Sequence, residues 1–210
     1  MTVMVVHDLG DAEAGERWRS AAPADWIIPD LPGHGDAPAP RSGHYDPMAV
    51  VALARWALAG REEDSTLVGV RQHAHCALIH AAARGCSRVV VVDGLWGEWA
   101  TPRASIDSLY ASIRALADDR AATDPAPTKG IDPRTRHGYG LFVSERFARR
   151  FWGSIDQPVL AIETPLSSTP SSERDERLSW FGGSASLVSV DRDDPGAVID
   201  VICDWLTATG

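Results

Sequence analysis

A chain of 210 residues is long enough to bury a sizeable core in one compact domain, so neither disulfide staples nor a structural metal is needed to hold it together. Lysine and arginine number 20 against 29 acidic residues; the net charge of -9 repels a phosphate backbone, and nucleic acid is not an expected partner. Three cysteines, Cys76, Cys86 and Cys203, are odd in number and lack zinc-ligand spacing. No apolar run approaches the roughly 20 residues that cross a bilayer, and no basic segment precedes the first apolar run, so the chain reads as cytoplasmic with no membrane partner. Eight tryptophans and seven histidines are more than a core of this size requires.

Short apolar runs rich in β-branched residues predict strands over 3–6, 26–28, 66–70, 89–92, 159–162 and 187–190. Continuous runs of this kind suit strands buried on both faces of a parallel sheet. Helical spacing alternates with them over 13–22, 47–59, 72–83, 106–122, 140–152 and 195–206. Pro47 and Pro195 fall in first turns, with Asp46 and Asp194 placed as N-caps. The pattern predicts an α/β fold, a three-layer sandwich of six mostly parallel strands. The alternation is interrupted once, by about sixty residues between the fourth and fifth strands, too many for a simple crossover. Residues 95–155 are therefore read as a helical cap inserted into a core formed by 1–94 and 156–210.

Each predicted strand but the last two ends in a motif. Val6-His7-Asp8-Leu9-Gly10 follows the first, Asp30-Leu31-Pro32-Gly33-His34-Gly35 the second, Gly69-Val70-Arg71-Gln72-His73 closes the third, and Val92-Asp93-Gly94 the fourth. In this order and at this spacing they resemble the α/β-hydrolase fold over most of the chain. The resemblance implies a short member without the family's two leading antiparallel strands, a strand order of 2-1-3-4-5-6, and a crevice at the carboxyl ends of the strands.

That resemblance also marks what the chain lacks. The family's elbow motif Gly-x-Ser-x-Gly holds its nucleophile on a strained turn, but Arg71 stands at the serine position and His73 at the second glycine. A guanidinium stays protonated and offers no nucleophilic lone pair at neutral pH. The side chain of His73 predicts a turn relaxed from the family's geometry. After the fifth strand, Glu163-Thr164-Pro165-Leu166-Ser167-Ser168 offers no acid at the expected place; Glu163 stands early and Asp93 is the other stand-in. The loop Asp191-Arg192-Asp193-Asp194 after the sixth strand has no histidine, and His137 is the last one in the chain. Nucleophile, acid and base are all missing from their places.

Arg71 has two readings: a fixed cation for a carboxylate, phosphate or enolate, or an internal ion pair with Glu163, Asp93 or Asp8. His7, Asp8 and Leu9 lie in the loop that would supply an oxyanion donor, and His34 reads as structural. His73 and His75, two apart on a starting helix, point about 200° apart and cannot grip one metal, so no metal site is expected. No cofactor fingerprint is present. Trp96, Trp99 and Trp152 fall where a cap would meet the crevice, either lining an apolar pocket with Arg71 and Gln72 at its polar end or gluing the cap to the sheet.

Taken together, the sequence predicts a pseudoenzyme that binds a small anionic or apolar ligand or a protein partner, with association of two copies left open. The alternative is a hydrolase or lyase in which Arg71 stabilises charge and His7, His73 or Glu163 acts as base. A third reading is an interaction protein whose crevice is filled in.

Overall fold

The computed structural model describes residues 1–8, 13–38, 47–94, 145–167 and 171–209, together with 115, 118, 119 and 122. Its strands are β1 (Thr2–Val6), β2 (Ser65–Val70), β3 (Arg88–Val92), β4 (Val159–Glu163) and β5 (Ala185–Ser189). They pair in parallel in the order β1-β2-β3-β4-β5. The helices are α1 (Ala14–Ala21), α2 (Pro47–Ala57), α3 (Ala74–Ala82), α4 (Glu145–Trp152), α5 (Arg174–Leu178) and α6 (Pro195–Thr209).

The six-strand order 2-1-3-4-5-6 is corrected to five. Residues 26–28 form only a single bridge, Ile27 to Met4, on the outer side of β1. The backbone of Ile27 is fully used there: its N–H donates to Val3 and its carbonyl accepts from Val5, at 2.8 and 2.9 Å. A parallel ladder would next draw on residue 29, but Pro29 has no N–H, and the turn closed by Trp26 N–H on the Pro23 carbonyl blocks extension backwards.

Alternation along the strands builds two cores. Met4, Val6, Leu67, Val89, Val91, Val159 and Ala161 face one side, where α2, α3, Trp152 and Phe181 cover them. Val3, Val5, Val68, Val70, Val90, Val92, Leu160 and Ile162 face the other, under Trp18 of α1 and Val198, Ile199, Ile202 and Leu206 of α6. Three layers follow, with every interior strand buried on both faces. Asp194 caps α6, its Oδ1 accepting the Ala197 N–H at 2.9 Å, one residue before Pro195. Asp46 and most of the 95–155 segment lie outside the described residues. The described end of that segment, α4, packs on α3 and buries Trp152 in the core. No helix among the described residues is long and apolar enough to cross a membrane.

Candidate active-site crevice

The turn from β2 into α3 stays tight despite its changed residues. Arg71 adopts φ +50°, the left-handed region that a side chain disfavours, and opens a single 3-10 turn, Arg71–His73, ahead of α3. Two glycines make the close approach. A Cβ on Gly69 would lie 2.5 Å from the His73 carbonyl oxygen, and one on Gly94 would run into the Arg71 carbonyl oxygen and Ala74 Cβ. The relaxed turn expected from His73 is thus not found. Its ring is buried and donates Nδ1–H to the His7 carbonyl, tying the elbow to the end of β1 instead of pushing α3 away.

At the elbow Arg71 is held by charge. Its Nη1 donates to Asp8 Oδ2 at 3.3 Å, and its Nη2 lies 3.6 Å from Asp193 Oδ1. Of the three partners the sequence offered, Asp8 is taken, whereas Asp93 and Glu163 are engaged elsewhere. Asp93, at φ +50° after β3, accepts the Thr164 N–H and hydroxyl at 2.7 and 2.6 Å. Glu163 is 3% exposed and sits 2.7 Å from Arg174 Nη2 at the start of α5.

The histidines lie beneath this surface. His7 is buried, donates Nδ1–H to the Asp8 carbonyl at 3.0 Å, and meets the His34 ring edge to face at 5.7 Å. Burial pushes its pKa down to about 4, and pushes that of His73 down to about 3. Both are neutral at pH 7. His75 stacks on Trp152 at 6.4 Å and is likewise pushed down to about 4 by burial.

A cavity of about 360 Å³ opens at the carboxyl ends of the strands. Its polar wall is Asp8, Arg17, Arg71, Asp93, Asp193 and Asp194, and its apolar wall includes Trp18, Val70, Val92, Leu166 and Val198. Arg71, Asp8 and the acid stand-in Asp93 are the sequence-read candidates that line it. His7, His73, Gln72, Glu163 and Trp152 do not, and Leu9, Trp96 and Trp99 lie outside the described residues. Sequence reasoning overlooked Arg17, Trp18 and the acidic pair Asp193–Asp194. The pair stood in plain view in the loop searched only for a histidine; Arg17 and Trp18 gave no signal beyond the helical period of α1. Among the described residues no group of His, Cys, Asp and Glu is arranged to hold a metal ion.

No family model matches the sequence, and no curated protein matches it. Solved structures do. A thermophilic esterase from Thermogutta terrifontis aligns with TM-score 0.72 at 16% identity, over 99% of this chain and 90% of its own. A monoacylglycerol lipase from Paleococcus ferrophilus aligns with TM-score 0.68 at 18% identity, over 100% and 95%. An alpha/beta hydrolase from Sphaerobacter thermophilus aligns with TM-score 0.64 at 16% identity, over 98% and 92%. Likeness at such identities, sustained over nearly the whole length of both partners, speaks to architecture: the chain has the α/β-hydrolase fold.

Proposed function

We propose that this is a non-hydrolytic protein built on the α/β-hydrolase fold, whose crevice binds a small molecule without turning it over. The observation that carries the reading is Arg71, set on the tight turn in the left-handed conformation and tied to Asp8 and Asp193. A protonated guanidinium cannot attack an acyl carbon. The loop that would bring a general base ends in Asp193 and Asp194, both carboxylates on the cavity wall. Without nucleophile and base, the expected residue of activity is that of binding and oriented N–H groups alone.

The alternative of a displaced catalytic set draws less support. His7 and His73 are buried away from the cavity lining and Glu163 is paired with Arg174, so none is in reach of a molecule beside Arg71. A filled-in interaction protein is likewise disfavoured by the cavity, whose volume falls within the range of small-ligand sites. A cytoplasmic setting accords with Cys76, Cys86 and Cys203 forming no disulfide among the described residues.

The test offers the purified protein a panel of p-nitrophenyl esters and a fluorophosphonate probe. Weak residual hydrolysis at most and no labelling are expected; robust turnover or stoichiometric labelling that survives Arg71→Ala overturns the reading.

A further inference from the structure

We propose that the chain pairs with a second copy of itself through the free edge of β5, continuing the sheet across a twofold axis. β5 is the last strand of the sheet, and its residues alternate in where their backbones bond. The Val159 N–H donates to the Ser184 carbonyl and the Val190 N–H to the Glu163 carbonyl, both at 2.8 Å, so the even-numbered residues from Ser184 to Val190 bond to β4. Ala185, Leu187 and Ser189 therefore turn N–H and carbonyl outward, and among the described residues nothing bonds to them there. Ser186, Val188 and Ser189 are exposed. The opposite edge is already engaged, since Ile27 bonds to Val3 and Val5 beside β1.

This edge carries none of the devices that keep such strands apart: residues 184–190 hold no charge and no proline, and their register with β4 runs without a bulge. A chain of net charge -9 repels its own copy, and an uncharged stretch is where two copies approach at least cost. The edge is also complementary to itself. An antiparallel partner centred on Leu187 uses every outward group: Leu187 pairs with the partner's Leu187, and Ala185 and Ser189 with the partner's Ser189 and Ala185, by two hydrogen bonds each. Between these pairs Ser186 stands opposite the partner's Val188, a side chain 37% exposed in the single chain. Beyond the strand, Asp191 and Arg192 fall opposite the partner's Gly183 and Gly182, where no side chain clashes and no like charge meets. Backbone bonds along one strand with little apolar area make a small interface, so the dimer is weak, with a dissociation constant of about 100 µM.

Sedimentation equilibrium over about 5 to 500 µM reads the mass, which rises from one copy toward two and stops there. Hydrogen exchange on the wild-type chain reads the register and needs no variant. Across that range the amides of Ala185, Leu187 and Ser189 slow about threefold or more, while those of Ser186 and Val188, already bonded to β4, do not change. Ser186→Lys with Val188→Lys sets like charges opposite one another across the axis and leaves a monomer, as does Ser186→Glu with Val188→Glu. An equimolar mixture of the two double variants, each first shown folded by circular dichroism, restores the dimer. A mass that stays at one copy, assembly beyond two, slowing without the odd-even alternation, or a mixture of folded variants that stays monomeric overturns the proposal.

Discussion

The Arg71 guanidinium meets the Asp8 carboxylate at 3.3 Å, joining the elbow after β2 to the loop after β1 at the point where the fold would place nucleophile and oxyanion donor side by side. Arg71 is a third exposed and Asp193 about half, so solvent screens the pairs, and each contributes roughly 0 to 1 kcal/mol. The left-handed backbone at Arg71 costs about 1 to 2 kcal/mol. The backbone term wins. Arg71→Gly is therefore expected to be neutral or stabilising by up to about 1 kcal/mol, and Arg71→Val to destabilise by more than about 1 kcal/mol. Urea denaturation of the two variants checks the order, and a more stable valine variant contradicts it.

A second prediction concerns the wall behind the turn. Gly69→Ala places a methyl 2.5 Å from the His73 carbonyl oxygen and 2.8 Å from Ala77 Cβ, and neither neighbour is the movable end of a side chain. Backbone must shift, at about 3 kcal/mol or more. The variant should lose that much stability by chemical denaturation, whereas Gly60→Ala, in open space at φ +74°, should lose only about 1 kcal/mol from strain. Equal losses would show that the elbow is not the crowded point.

The sheet was legible because buried parallel strands write themselves as unbroken apolar runs, as in Arg88–Val92 and Val159–Glu163. The missing sixth strand was decided by a donor count at Pro29, which hydrophobicity does not report. The ion pair of Arg71 with Asp8 was among the partners the sequence allowed. The contact with Asp193 was not, because residues 71 and 193 meet only once β5 and α6 are laid against the sheet. Trp152 illustrates the same limit: a tryptophan at the end of an arginine-rich helix reads equally as pocket lining or core, and tertiary packing places it in the core.

Acid stability follows from the buried imidazoles. His7, His73 and His75 have folded pKa values of about 4, 3 and 4 against 6.5 in an open chain, in each case chiefly through burial. Between pH 6.5 and about 4 the unfolded chain binds protons that the folded one refuses. Stability is thus complete above pH 6.5, falls as pH drops through that window, and levels off once the folded histidines charge; each contributes up to about 1.4 kcal/mol per pH unit. The urea midpoint should hold from pH 7.5 to about 6.5 and fall steadily from there to pH 5. His75→Gln should flatten the slope by up to one histidine's share, and a midpoint independent of pH over this range would mean that these rings are solvated.

Two tryptophans separate core from surface. Trp152 is 1% exposed and stacks on Phe181 at 5.2 Å with the rings 2° from parallel, with Trp180 tilted against it at 5.4 Å. Trp56 on α2 is 79% exposed. Removing the first leaves a cavity where α4 meets the sheet and strips the stacking partner from His75, so Trp152→Ala should cost about 3 to 5 kcal/mol. Trp56→Ala removes little buried surface and should change stability by no more than about 0.5 kcal/mol. The conservative Trp152→Phe, which keeps an aromatic face for Phe181 and His75, should cost less than the alanine variant, about 1 to 2 kcal/mol. A Trp152→Ala variant as stable as Trp56→Ala would show that this ring is not part of the core.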